Sequence, residues 1–388
     1  MRKWLVPALA AVLLLNGCSW IKSWGDKQEP DEPLKLVDFE PTLNVKRVWS
    51  TGVGKGLDKA GRQIRPAYSS GSLYAADYKG RLVAIDASNG NTRWSLKTDL
   101  PFSGGPGVIG DLLMMGTENG EVFAFDANTG TQRWSANVTS EVLAAPSMAD
   151  GIVVVRCIDG RVFGLDADTG QRVWIYDHSV PLLTLRGNAP ILLRAGVVFI
   201  GYDGGQVVAL KIEDGTLMWE QTLVTTEGRT ELERLSDIDG QMVFVASDLL
   251  VSSYKNRLAS LAADSGRLLW FKDVSSATGV TVDRVNLALS DRDGNVWLLD
   301  RRNGAESWKM AKLLRRGLTR PVFYGSFIVV GDEDGYLHWI NTDDGQFAAR
   351  EKVGGKGFAG PPLVVGNTLY VMTKKGDLEA YRAGGVLN

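Results

Sequence analysis

One passage, Leu113–Trp134, is written repeatedly along this chain, and that repetition constrains the fold more than any other feature. It reads LMMGTENGEVFAFDANTGTQRW: an alternating apolar segment, an Asn-Gly turn, a second alternating segment, an Asp-x-x-x-Gly turn and a terminal Trp. Alternation at period 2 gives each strand one buried and one less buried face, and Asn119-Gly120 suits a two-residue hairpin with positive φ. A lone hairpin is marginal in water, so copies must stack on one another.

Equivalent units end at Trp94, Trp134, Trp174, Trp219, Trp270 and Trp308. A seventh has Ala349 in the Trp position, and an eighth, LYVMTKKGDLEAYRAGG, stops before a final strand. A further strand precedes most hairpins, marked by Pro and then Gly: Pro66 to Gly71, Pro106 to Gly110, Pro146 to Gly151, Pro190 to Gly196, Pro321 to Gly325 and Pro361 to Gly366. A repeat of about 40 residues with four strands, A to D, is the period of a β-propeller blade. Val45 to Ser50, with Trp49, is a stray D strand ahead of the first full unit. Pairing it with the incomplete eighth unit closes the ring. The expectation is all-β: an eight-bladed β-propeller of four-stranded antiparallel blades over 43–388, its last blade completed by the N-terminal strand. Closure removes exposed sheet edges.

Two features that invite a functional reading have structural explanations. The Asp-x-x-x-Gly signature (Asp86/Gly90, Asp126/Gly130, Asp166/Gly170, Asp300/Gly304) suggests turn N–H groups satisfied by a carboxylate, with Gly in the left-handed position, rather than metal binding. Lys211 and Ala262 replace the Asp in two units, as a turn tolerates. The Trp row is inter-blade packing.

Chemistry is sparse. With Cys18, Cys157, His178 and His338 as the whole complement of their types, metal, thiol and imidazole chemistry have little to work with. No catalytic residue, metal or cofactor is expected. The net charge of −2 gives no reason to expect nucleic acid as a partner.

The N-terminus is different in kind. Arg2 and Lys3 precede the apolar run Trp4 to Leu15, too short to span a bilayer but suited to a secretory signal over 1–17. It ends in Leu15-Asn16-Gly17-Cys18, which resembles a bacterial lipobox, in which the Cys is acylated and becomes the new N-terminus. Ser19 rather than Asp follows, as in lipoproteins sent to the outer membrane. More than one acyl chain gives durable anchoring. Residues 18–42, with Pro30, Pro33 and Pro41, are expected to be a lipidated flexible tether. Cys157, in the apolar run IVVVRC, is expected to be a buried small side chain.

Function is best sought where the period fails. The Trp positions are 40 residues apart from Trp94 to Trp134 and again to Trp174, then 45 apart to Trp219 and 51 to Trp270. Both extensions fall in D-to-A connections. Because strands alternate in direction, these connections and the B-to-C hairpins share one face, so the two extensions are neighbours. The first runs His178-Ser-Val-Pro-Leu-Leu-Thr-Leu-Arg-Gly187; its three leucines and an arginine either pack locally or meet a partner. The second, Thr230 to Gly240, places Asp237 and Asp239 beside Leu235 and Ile238, as a turn or as a charged rim for a basic partner.

At these residues the chain resembles the BamB family, lipoprotein subunits of the outer-membrane β-barrel assembly machinery. The resemblance covers the lipobox, the eight repeats, which are of the type also found in pyrroloquinoline-quinone dehydrogenases, and three motifs. These are LTLRG at Leu183 to Gly187, ERLSDID at Glu233 to Asp239 and GDEDGYLHWIN at Gly331 to Asn341. It implies a non-catalytic scaffold on the periplasmic face of the bacterial outer membrane, aiding the folding and insertion of outer-membrane proteins. It implies as partners the periplasmic (POTRA) domains of the central subunit BamA, other subunits of the complex and unfolded outer-membrane clients. Carried over by motif, Leu183, Leu185, Arg186, Asp237 and Asp239 are the candidate partner contacts, and Cys18 the lipidation site. Two alternatives stand beside it. One is a quinoprotein dehydrogenase, against which stands the lack of the adjacent cysteines many such enzymes use; the other is a ligand-binding periplasmic propeller.

Overall fold

In the computed structural model, described for residues 32–57, 63–180, 189–223, 237–255, 257–354 and 357–386, no helix is present among the described residues. The strands form eight antiparallel sheets in chain order around a ring. Blade 1 is Ala67–Ser69, Ser72–Ala76, Arg81–Asp86 and Thr92–Lys97, and the same A-B-C-D order repeats to blade 7, Val322–Tyr324 through Phe347–Lys352. Blade 8 contributes Leu363–Val365, Thr368–Met372 and Asp377–Val386, and its D strand is Leu43–Gly52. The expected closure is therefore the observed one: Trp49 stands opposite Ala380 and Lys46 opposite Arg382. Blade 2 gains a fifth strand, Gln63–Ile64, parallel to its inner strand.

The B and C strands are buried on both faces, as Leu112–Thr117 and Val162–Asp166 show, because each blade is sandwiched between two others. The core is accordingly a series of apolar layers between consecutive blades. Cys157 lies in one of them, a free thiol whose pKa burial pushes up to about 11.

The Trp and the Asp-x-x-x-Gly turn are two halves of one inter-blade joint. The indole of Trp134 covers Gly170 of the next blade, where a Cβ would stand 2.6 Å from the ring, and its Nε1 donates to Ala167 O at 2.8 Å. The same geometry links Trp94 to Gly130 and Ala127 O, and Trp174 to Gly215 and Ile212 O. Gly170 has φ +72°, so it serves both the left-handed turn and the space for the ring. Asp166 Oδ1 accepts the turn amides of Asp168 and Thr169, and Asp126 and Asp300 act alike, which confirms the turn reading of the signature. Where blade 7 has Ala349, the joint to blade 8 is made by Tyr324, whose OH donates to Asn367 O and accepts from Ala383 N.

A β-bulge lies immediately before the Trp in the D strands: Trp94 faces Ala84 while Thr92 faces Ile85, leaving Arg93 unpaired, and Arg133, Val173, Met218 and Leu269 occupy the same place in blades 2 to 5. The extra residue turns outward.

Of the segment expected as a tether, residues 18–31 lie outside the described residues. Residues 34–42 pack on the ring: Phe39 stacks on Phe347 with centroids 5.2 Å apart, Thr42 N donates to Ala348 O and Leu34 N to Leu314 O. Leu36 and Phe39 bury apolar surface there, which a purely polar linker would not do.

Candidate interaction face

Backbone hydrogen bonds establish which loops share a face. In blades 1, 2, 4 and 7 the start of the D-to-A connection donates to the glycine of its own blade's B-to-C turn: Thr98 N to Gly80 O, Val138 N to Gly120 O, Leu223 N to Gly205 O and Val353 N to Gly335 O. In blade 3 the backbone of His178 lies against the turn glycine Gly160. The far end of the connection then ties that turn to the next blade. Ile238 N donates to Tyr202 O of blade 4, while Asp237 O accepts from Tyr254 N of blade 5. Both lengthened connections, after blades 3 and 4, thus leave from the face that bears the B-to-C turns.

Leu183, Leu185 and Arg186 lie outside the described residues, as does Cys18. The last described residue before the first extension is Val180 and the first after it is Ala189; for the second they are Leu223 and Asp237. Asp237 and Asp239 lie inward of the rim. Asp237 is buried, and its Oδ1 accepts the amide of Gly204, so its carboxylate braces the connection against the blade 4 turn. Ile238 fills the space over Gly201, where a Cβ would stand 2.3 Å from Ile238 Cγ2. Asp239 turns to the centre of the ring, with Oδ1 sealed from solvent and unpartnered.

These acids belong to a buried charged cluster that the sequence did not announce. Arg156, at the end of a strand of blade 3, is 1% exposed and donates from Nη1 to Gly201 O at 2.6 Å. Its guanidinium lies over Tyr202 and 3.7 Å from Asp203. His178, the residue that opens the first extension, stacks on the other partner of this group, Tyr202, with centroids 3.8 Å apart. Desolvation raises Asp203 to about 6, against the pull of Arg156 and with repulsion from Asp237. Desolvation, with Asp203 and Asp237 adding to it, raises Asp239 to about 7. Desolvation lowers His178, although Glu220 opposes the shift. One signal was visible beforehand: Arg156 follows four apolar residues, where a charge needs a partner.

The third motif, Gly331 to Asn341, forms the B-to-C turn of blade 7. Asp332 is buried and accepts from Arg316 Nε at 2.8 Å, lies 3.0 Å from His338 Nε2 and takes the amide of Tyr336. Burial alone would raise its carboxyl; the bonds from His338, Tyr336 and Arg316 hold it below the usual range. Its conspicuous Asp and His, with Arg316 and the backbone amide of Tyr336, therefore hold a turn together. No group of three or more His, Cys, Asp or Glu suited to a metal ion exists among the described residues.

The outer strands differ around the ring. In blades 1 and 2 the bulged residue is an arginine tied to the turn aspartate, Arg93 to Asp86 at 2.7 Å and Arg133 to both Asp126 and Asp111. In blades 3 to 5 the same position is Val173, Met218 and Leu269, all exposed, with Ile175 and Phe271 exposed nearby. Exposed apolar side chains thus fill the bulge in three consecutive blades, 3 to 5, the sector that bears the long connections; among the described residues of the other blades only Val48, in the D strand of blade 8, does the same.

A family model described as outer membrane protein assembly factor BamB matches residues 42–101 and 95–310. The chain belongs to the BamB family. BamB of Pseudomonas aeruginosa is 46% identical over 382 residues, covering 98% of this chain and 99% of that protein. BamB of Xanthomonas campestris is 43% identical over 383 residues, 95% and 94% of the two chains, and BamB of Escherichia coli is 36% identical over 390 residues, 97% and 98%. The crystal structure of BamB from Moraxella catarrhalis superposes with a TM-score of 0.80 at 30% identity, covering 87% of this chain and all of that one. A europium-containing methanol dehydrogenase reaches a TM-score of 0.71 at 13% identity, a likeness of fold alone. The family is one of assembly factors, so the dehydrogenase alternative falls away.

Proposed function

We propose that this chain is a lipid-anchored scaffold of the outer-membrane β-barrel assembly complex. It holds the periplasmic POTRA domains of BamA through the face of blades 3 to 5 and so aids the folding and insertion of outer-membrane proteins. In this reading Cys18 bears the lipid, the periplasmic side of the outer membrane is the site of action, and other Bam subunits and unfolded clients complete the set of partners. The observation that supports it best is the coincidence, in one sector of a regular ring, of two lengthened connections and the apolar outer positions Val173, Met218 and Leu269.

The residues divide the work. Leu183 and Leu185 supply apolar contact area and Arg186 a forked donor for a carboxylate or carbonyl of the partner. Asp237, buried against Gly204, sets the path of the second connection, and Asp239 follows it with its carboxylate on the wall of the ring centre. The test is recovery of BamA with the tagged, membrane-anchored protein. Leu183→Asp with Arg186→Ala should reduce recovery several-fold, while Cys18→Ala should release the protein from the membrane and leave binding in solution intact. Undiminished recovery with the double variant would remove the assignment of the first connection.

A further inference from the structure

The centre of the ring opens, on the face just described, into a cavity of about 390 Å³. Its wall is built by the last residues of several D-to-A connections and by B-to-C turns: Arg65 ahead of blade 1, Asp239 ahead of blade 5, Thr278 ahead of blade 6, Arg320 ahead of blade 7, and Lys374 in the turn of blade 8. The volume is that of a small-molecule site rather than of a packing defect.

Two of these side chains are in an unusual state. Arg65 and Arg320 are each partly buried, each has an Nε sealed from solvent without an acceptor, and neither has a carboxylate within 4 Å among the described residues. Among the described residues the one side-chain bond of Arg320 is a long one, 3.4 Å from Nη1 to Val280 O. The stem of Arg65 crosses Gly360, where a Cβ would stand 2.9 Å from Arg65 Cδ, so a residue without a side chain makes room for it. Desolvation lowers both groups, and the charge of Arg65 adds to the effect on Arg320, which falls to about 10. The acids in the same wall do not answer them. Asp332 is committed to Arg316 and His338, and the charges that act on Asp239 are those of Asp203, Asp237 and Arg156. Glu333 lies against Gly317, its Cδ 2.4 Å from where a Cβ of that glycine would stand.

Two guanidiniums that repel each other on the wall of a cavity, with donors unsatisfied, cost stability unless an anion completes them. The planar fork of arginine matches a carboxylate through two parallel N–H···O bonds. We infer that the mouth of the central channel is a binding site for a carboxylate-bearing ligand, held between Arg65 and Arg320. The carboxylate belongs either to a free small polycarboxylate or to an acidic side chain of a peptide that enters the mouth. The inference does not depend on the assembly role or on either long connection.

The test is isothermal titration calorimetry of the full-length protein in detergent at low ionic strength, with citrate in one arm and a short polyglutamate peptide in the other. Saturable binding of at least one probe is expected, weakened about tenfold or more by Arg65→Gln with Arg320→Gln, and unchanged by Lys211→Gln on the opposite face. Binding of citrate identifies a free ligand, and binding of the peptide alone identifies an inserted side chain. Removing the mutual repulsion leaves the double variant folded, with a Tm no lower than that of the parent without ligand. The bound probe raises the parent's Tm and not the variant's. Heat that does not saturate with either probe, or equal affinity in parent and double variant, would overturn the site.

Discussion

Blades 1 and 2 on one side and blades 3 to 5 on the other are built from the same four strands, the same bulge and the same Trp joint, yet they present different surfaces. In blades 1 and 2 the bulged residue is Arg93 or Arg133, neutralised by the turn aspartate, and the connections are short. In blades 4 and 5 both members of that pair are changed, to Lys211 with Met218 and to Ala262 with Leu269, and blade 3 keeps Asp166 but has Val173. The scaffold does not require an apolar residue at the bulge, since blades 1 and 2 close the ring without one. What varies where the fold is indifferent is free to serve a partner, which is why we propose the second sector as the functional one.

The comparison can be broken at its shared part or at its variable part, and the largest effects come from the shared part. Trp134→Ala and Trp174→Ala each remove a ring stacked on a glycine and an indole hydrogen bond, and should each cost about 3–5 kcal/mol in urea unfolding. Similar losses at the two positions would show that the joint is common to both sectors; a harmless Trp134→Ala would break the comparison at its base. Gly130→Ala and Gly215→Ala come next, at about 1–3 kcal/mol by the same measurement, because each combines positive φ with a Cβ that would meet Trp94 or Trp174 below 3.0 Å.

A smaller effect follows from the buried acids. Asp203 and Asp239 have native pKa values raised above the unfolded value near 4, so the native state keeps protons that the unfolded chain has lost. Their contribution to stability therefore falls as pH rises from about 4 to about 7. Asp239→Asn should leave stability unchanged at pH 4 and raise it by about 2 kcal/mol at pH 8, less than the full shift implies because the cavity admits water. Comparing Tm of the two proteins at matched pH cancels the opposite titration of His178 and His338. A gap that does not widen with pH would show that Asp239 is solvated like a surface carboxylate. Smallest in stability is a change at the bulge: Met218→Asp with Leu269→Asp should move Tm by no more than about 0.5 kcal/mol allows, while lowering BamA recovery. Ser95→Asp with Ser135→Asp, exposed on the outer strands of blades 1 and 2, should alter neither.

Most of the architecture was legible in the sequence because its determinants are local and repeated. Alternation, the Asn-Gly and Asp-x-x-x-Gly turns and the Trp spacing each act within one unit, and the orphan strand with Trp49 announced the closure. The buried cluster was not legible. Arg156, Asp203 and Asp237 are far apart in sequence and meet only because consecutive blades converge, and Asp237 and Asp239 read as turn residues or as rim charges, whereas the structure turns them inward. The packing of Phe39 on Phe347 was hidden in a Pro-rich stretch that resembled a linker. Arg65 and Arg320 each stand just before a proline at the start of an inner strand, where nothing local distinguishes an arginine that lines a channel from one that faces solvent.

The most direct test of the claim that blades 3 to 5 bear the partner face is site-specific photo-crosslinking in living cells. A photoreactive residue at Ser179, at the foot of the first long connection, is compared with one at Lys79 and one at Glu118, in the B-to-C turns of blades 1 and 2 on the same face. The account predicts a cross-link from position 179 to BamA and none from 79 or 118. Cross-links from 79 or 118 with none from 179 would contradict it.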